Sequence, residues 1–419
     1  MHRLTTTVFA LTALISTMAS AYAETREHIK ISGFGNLSAI HSGTENLGFT
    51  YDLTKEGVFD EWSWKKGSAI GLQLNAGLSE EFDLVVQGVL QDRLDNDLNN
   101  SITWAFLRYK LSPRVSIRLG RIATPIYMLS EYRNVGFAYL WTKPITDFYA
   151  NIPVTSLNGG DIAYTTPFWE GVIEVKLFGG QSEISINTID SFNNVKLSPL
   201  IGTKLSYDSN DWVLSASAST AKVDNGDPAD LLISGASADS SIFLAWPSLE
   251  RALEDFEFEN TRFYYYSMGA AYESNNWYLQ SELSYTDADW PFFPDLMSGY
   301  ASIGKTVNAL TFYSFTSKAK SVGTFYALQA PDPHFLLNPK INGVYQLIQQ
   351  NLDARVIDQE TFGIGMRYYI GPQISLKGQI ERTWLNDNRF GAWSINKQGL
   401  SAPVPNHIDS VSVSLSFVF

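Results

Sequence analysis

The chain ends on Asp409-Ser-Val-Ser-Val-Ser-Leu-Ser-Phe-Val-Phe419. In an extended strand, Val411, Val413, Leu415, Phe417 and Phe419 share one face while Ser410, Ser412, Ser414 and Ser416 share the other, because strand side chains alternate with period two. The first face is apolar along its whole length and the second is hydroxylic along its whole length. Such a strand wants grease on one side and water on the other.

Working back from that end, the same alternation recurs. A strand over about 28–40 sets Ile29, Ile31, Leu37 and Ala39 against Lys30, Ser32 and Asn36, with Gly33 and Gly35 interrupting the pattern. A polar, Gly-bearing stretch follows to about Gly67. Ile70, Leu72, Leu74, Ala76 and Leu78 then oppose Gln73 and Asn75, and after Ser79-Glu-Glu81 the next strand sets Phe82, Leu84, Val86 and Leu90 against Asp83 and Gln87. Thr103, Ala105, Leu107, Tyr109 and Leu111 oppose Trp104, Phe106, Arg108 and Lys110; beyond Ser112-Pro-Arg114, Val115, Ile117 and Leu119 oppose Ser116, Arg118 and Gly120. Weaker signals place a sixth strand near 161–165, and a twelfth and thirteenth near 297–304 and 309–316. Tight turns are expected at 208–211, 273–276 and 371–372. The count is sixteen, with every second connection tight. Tyr207, Trp212, Tyr272, Trp277, Phe82 and Tyr368 lie at or near those tight turns, where an aromatic girdle would meet a membrane interface.

The amino terminus supplies the compartment. Arg3, the apolar run Val8–Ile15 and the ending Ala21-Tyr-Ala23 predict a secretory leader over 1–23, cut before Glu24. The run is too short to span a bilayer as a helix, which takes about 20 apolar residues. No later stretch reaches that length, so a membrane role must use strands. With no Cys there are no disulfides, and at 17% charged residues the chain falls below the usual quarter. Removing Arg3 leaves 29 basic residues against 43 acidic, a net charge of −14 that argues against nucleic-acid binding. These observations predict an all-β chain: a single transmembrane antiparallel β-barrel domain over 24–419, of about sixteen strands.

Two stretches carry a family resemblance. The terminal strand resembles the closing strand of bacterial outer-membrane barrels, whose last Phe, here Phe419, is the mark read by the outer-membrane assembly machinery. Ser101-Ile-Thr-Trp-Ala-Phe-Leu-Arg-Tyr-Lys110 and Arg118-Leu-Gly-Arg121, followed by a long connection to Leu157-Asn-Gly-Gly-Asp161, resemble the fourth strand and third loop of general bacterial porins. The loop lacks the Pro-Glu-Phe-Gly-Gly-type signature of enteric members. The resemblance implies that residues 123–158 fold into the lumen as a constriction, and that the protein is a homotrimer in outer-membrane lipid passing small hydrophilic solutes and ions.

A pore selects by its narrowest width and the charges lining it. Arg108, Lys110 and Arg118 share the polar face of their strands. Arg121 and Arg133 fall at the entrance of the long loop and inside it, and Glu131 and Asp147 are placed to face them. Opposed charges would set up a transverse field; alternatively, each pair would be a salt bridge fixing the loop to the wall. A substrate-specific channel for a sugar or small organic anion is the competing reading, with Trp104, Phe106, Tyr127, Trp141 and Tyr149 as an aromatic track. Residues 247–256 and 341–356 show helical spacing, with apolar faces expected to pack on the rim or another loop. No His-x-x-x-His pair, nucleophile elbow or phosphate loop is present, so no metal, cofactor or catalytic activity is expected.

Overall fold

The computed structural model describes residues 29–42, 44–52, 54–93, 98–187, 192–225, 240–255, 258–387, 389–396 and 403–419; the predicted leader and its cut lie outside them. Besides three two-residue strands in the loops, sixteen long barrel strands follow in chain order among the described residues: β1 (Ile29–Ser42), β2 (Ala69–Gly77), β3 (Phe82–Gln91), β4 (Ile102–Ser112), β5 (Val115–Ala123), β6 (Ser156–Phe168), β7 (Gly171–Asn187) and β8 (Phe192–Ser209). The second half comprises β9 (Trp212–Asn225), β10 (Arg262–Ser274), β11 (Trp277–Ala288), β12 (Asp295–Val307), β13 (Leu310–Val322), β14 (Asp358–Gly371), β15 (Ile374–Leu385) and β16 (His407–Val418). Each pairs antiparallel with its sequence neighbour. The three weak strands are longer than their signals: Gly159 and Gly160 dilute the alternation in β6, and Ser, Thr and Gly dilute it in β12 and β13.

The sheet has no free edge. β1 pairs with β2 on one side, from Ile29 opposite Ala76 to Asn36 opposite Ala69, and with β16 on the other, from Phe34 opposite Val418 to Ser42 opposite Ser410. Every strand therefore finds ladder partners on both sides, which is what a sheet immersed in lipid requires. At the seam, Gly33 and Phe419 exchange two backbone hydrogen bonds of 2.9 Å. The Phe419 and Phe417 rings lie over Gly33 and Gly35, where a Cβ would come within 2.4 and 2.3 Å of them. The two glycines that interrupt the alternation of β1 are the places the terminal aromatics need.

The sheet is inverted relative to a soluble one. Ser410, Ser412, Ser414 and Ser416 are 0–3% exposed, whereas Val411 and Val413 are 40% and 42% exposed and Leu90 is 64%. An apolar outer face and a polar inner face are stable only if the outside is hydrocarbon. Seven tight connections (78–81, 113–114, 169–170, 210–211, 275–276, 308–309, 372–373) share one end, and in the 275–276 turn Asn275 and Asn276 both adopt positive φ, as two-residue hairpins prefer. Beside them Phe82 stacks on Tyr109 at 4.6 Å and Trp212 lies 4.8 Å from Tyr272, both pairs on the outer face. The opposite end carries the long connections, with a short one at 289–294.

The two larger of three apolar cores lie away from the lipid-facing surface. One joins the 124–155 segment to the inner wall through Tyr127, Leu129, Trp141, Phe148, Tyr149, Tyr300 and Phe315. The other joins the loops: the predicted helices are present as Ser248–Asp255 and Pro339–Ala354, and they pack on one another through Leu249, Ile341, Ile348 and Leu352 around Trp246 and Trp290.

Candidate functional site

Residues 124–155 between β5 and β6 are tied to the inward-facing side chains of β8–β15 by bonds spread along the whole segment. Met128 N donates to Glu282 Oε2 at 2.8 Å, and the same carboxylate accepts from the hydroxyls of Tyr149 and Tyr300. Lys204 Nζ donates to Tyr127 O at 3.0 Å, and Ser217 and Ser267 both donate to Ile126 O. Trp141 Nε1 donates to Ser302 Oγ at 3.0 Å, and Lys143 pairs with Glu381 at 2.6 Å with both side chains buried. Lys377 Nζ gathers three backbone carbonyls of the segment, Gly136 at 2.5 Å, Tyr139 at 2.5 Å and Trp141 at 2.8 Å. These anchors follow from the inner face being polar at alternate positions: a segment with unpaired backbone groups meets a row of donors and acceptors there.

The predicted site residues fall into three groups. Arg108 and Lys110 stand on the inner face of β4, half-exposed, and share Asp83 of β3 at 3.1 and 3.0 Å. Arg118 stands on the inner face of β5, holding Asp161 of β6 through Nε at 3.0 Å and Nη2 at 2.5 Å while its Nη1 reaches Glu131 Oε1 at 3.1 Å. Its guanidinium lies 5.3 Å from the Phe106 ring. Burial works upward on the Glu131 carboxyl, but the charges of Lys176 and Arg118 outweigh it and bring the pKa down to about 2.

The second group is buried within the segment and its supports. Arg133 donates to Asp52 Oδ2 (3.2 Å), Tyr127 Oη (3.2 Å), Tyr149 O (3.1 Å) and Ile152 O (3.2 Å), joining the β1–β2 loop to the β5–β6 segment. Asp147 accepts from Ser317 Oγ at 2.7 Å and Gln359 Nε2 at 2.5 Å, and burial pushes its carboxyl upward. It faces these hydroxyl and amide donors, not the arginines expected opposite it. Tyr127, Trp141 and Tyr149 are at most 1% exposed, so these three of the five proposed track aromatics present no face to a solute; their rings pack on one another and on Tyr300, Tyr127 on Tyr149 at 5.3 Å and Trp141 on Tyr300 at 5.4 Å. Trp104 and Phe106 remain together on the β4 wall, 6.5 Å apart.

Arg121 is the third case and a correction. It pairs in register with Ala105 and Asn158, on the face that carries Leu107 and Leu119, and its guanidinium binds Asn158 and the Asn99 side chain and backbone outside the barrel. β5 runs on to Ala123, and a spacing of three residues in one continuous strand puts Arg118 and Arg121 on opposite faces.

Two inner-wall lysines outside the expected set complete the site. Lys176 of β7 and Lys204 of β8 are directly opposite each other on the inner face. Lys176 reaches Glu131 at 3.5 Å and Glu174 at 3.2 Å. Lys176 lies between the outward Val175 and Leu177 and Lys204 between Thr203 and Leu205, so the inward placement of Lys176 was legible; its nearness to Glu131 was not.

A closed sixteen-stranded barrel, apolar outside and polar within, with charged side chains along its inner wall, is the architecture of a channel. The family model described as Gram-negative porin matches residues 10–389. The chain belongs to the Gram-negative porin family. Solved porin-like barrels agree in fold: OmpT of Vibrio cholerae (8% identity, 94% of this chain and 99% of that one, TM-score 0.52), OmpF of Salmonella typhi (14%, 93% and 97%, 0.51) and an anion-selective porin from Comamonas acidovorans (13%, 93% and 99%, 0.51). No curated protein matches this porin's sequence. Family membership places it in the outer membrane as a channel.

Proposed function

We propose that this porin is a passive diffusion channel for small hydrophilic solutes and ions, with residues 123–158 as its constriction. The observation that carries the reading is the division of charge: the buried anchors hold the segment against one part of the wall, while on the other Arg108 and Lys110 stand partly exposed, with Glu131 of the segment open beside the deeper-set Arg118 and Lys176. Fixed charges beside a polar passage select by sign and admit hydrated solutes while disfavouring apolar ones. In the same reading the leader is removed near Ala23, Phe419 is presented to the assembly machinery, and three copies associate in the membrane, as the family layout implies. A channel, and not a catalyst, is what the site chemistry supports.

The test is a planar-bilayer recording of the purified protein. Stepwise, ohmic conductance whose size falls with added solute only by viscosity supports general diffusion; absence of steps overturns the channel reading. A substrate-specific channel for a small organic anion is the second reading, favoured by the cations on the β4–β8 wall and not by the aromatics, most of which are covered. Saturable block by one class of anion would select it.

A further inference from the structure

Two hydrogen-bond donors in the loop core meet at one indole ring, and among the described residues neither has an acceptor. Trp290, in the 289–294 connection, is 6% exposed, and its Nε1–H is buried without a partner. Trp246, the other indole of that core, shows the usual arrangement, donating from Nε1 to Gln329 O at 2.8 Å. The guanidinium of Arg355, which ends helix Pro339–Ala354, lies over the Trp290 face, 4.7 Å from the ring centroid. The Arg355 side chain is partly exposed and makes no ion pair or hydrogen bond with a described residue. Burial alone acts on its charge, drawing the pKa down to about 10. The carboxylates of the elements around it are engaged elsewhere: Asp353 with Arg389 at 2.7 Å, Asp358 with Lys320 at 3.1 Å, and Asp255 with the Tyr326 hydroxyl at 3.0 Å.

A helix C-terminus and an aromatic face both favour a cation, which explains why an arginine can stand there. Neither takes up its N–H groups, and a buried donor left unpaired is costly. A single oxyanion satisfies both donors, because two of its oxygens accept from a guanidinium fork while lone pairs remain for an indole N–H. Phe258 and Phe292 pack on Trp290 with centroids at 4.6 and 5.9 Å, so the donors stand in apolar surroundings, where a hydrogen bond to an ion is strong.

We propose that Arg355 and Trp290 form a binding site for a small oxyanion, a carboxylate or phosphate group, in the loop core. Arg355 meets the anion at the partly exposed side, and the indole N–H holds it at the deeper end. A bound anion ties the end of helix Pro339–Ala354 to the connection between β11 and β12. The site is separate from the charged β4–β8 wall, and its occupancy does not depend on how solutes cross the barrel.

The experiment uses the full-length mature protein in detergent micelles, labelled with nitrogen-15 at the indoles and titrated with sodium acetate and, separately, inorganic phosphate at constant ionic strength. The Trp290 indole resonance, assigned by its loss in Trp290→Phe, is expected to shift saturably with one anion or both, while that of Trp246, already bonded, stays in place. Arg355→Gln should weaken the binding about tenfold or more, the worth of a hydrogen bond to a charged group. Where Arg355→Gln also displaces the Trp246 resonance and so disturbs the core, Arg355→Lys decides instead: it keeps the charge without the fork and should bind more weakly than the native protein. A Trp290 resonance that responds to neither anion, a drift without saturation shared by all indoles, or native affinity in the deciding Arg355 variant overturns the site. Conductance enters none of these readouts, so the channel reading is tested separately.

Discussion

The inner faces of β11–β15 and of β4–β8 are made of the same residue types, yet they behave differently. On β11–β15, Glu282, Gln359, Lys377 and Glu381 are buried and saturated by bonds to the 124–155 segment. On β4–β8, cations share carboxylates and Arg108 and Lys110 keep much of their surface. The contrast teaches that a polar inner wall can serve as mortar or as pore lining, depending on what packs against it. Buried charges must be paired to be tolerated, on the first face by the segment and on the second by neighbouring strands, while Arg108 and Lys110 also keep contact with water.

The largest expected effect breaks the mortar. Lys143→Met leaves Glu381 as an uncompensated buried charge, a loss of about 3–5 kcal/mol. The barrel ladder should survive, so the loss is read as new protease cuts within 124–155 and noisier open-channel current. Replacing both partners by Met should recover most of it. If the single and double variants behave alike, the pair is not what fixes the segment.

Next comes Lys377→Met, which strips the carbonyls of Gly136, Tyr139 and Trp141 of a shared donor at the cost of about 1–3 kcal/mol for groups left unsatisfied. Faster hydrogen exchange confined to 136–141 checks it; uniform exchange across the segment would contradict a local anchor.

The β4–β8 face is sharpened by pH. Because the Glu131 carboxyl is held at about 2, below its ordinary 4.5, its pairing is fully present above 4.5 and is lost as pH falls through that window toward 2. Ion selectivity should therefore be flat from pH 8 to 5, as far as Glu131 governs it, and drift toward anions in the most acidic baths. A midpoint near neutrality would point to a different group.

The smallest effect separates two arginines three residues apart. Arg118→Gln should shift the reversal potential toward cations, while Arg121→Gln, on the outer face, should leave it where it was and change stability by no more than about 0.5 kcal/mol. Equal shifts from both would place Arg121 in the pore after all.

Much of the barrel was legible in the alternation, including the two loop helices and the aromatic positions at the tight turns. The strands that were hard to read, β6, β12 and β13, are rich in Gly, Ser and Thr, whose small side chains blur the difference between faces. Arg121 was misplaced because the end of β5 has no turn signal before Pro125, and a strand end moved by a few residues changes which side chains it carries to which face. Asp147 and Trp141 were recognisable as interesting residues of a long loop, but the letters around them do not say that their partners are Ser317, Gln359 and Ser302.

By itself, the sequence determined the class of surface: period-two alternation fixes one apolar and one polar face per strand, and an even run of such strands with tight turns at one end can satisfy its backbone in lipid only by closing. The tertiary structure alone decided which polar residues are spent on holding the 124–155 segment and which are left partly exposed on the inner wall. Lys143 and Glu381 are 238 positions apart, and Lys377 lies as far from Tyr139. Such pairings depend on the closure that lets the segment after β5 reach β15, a property of the whole barrel and of no local stretch within it.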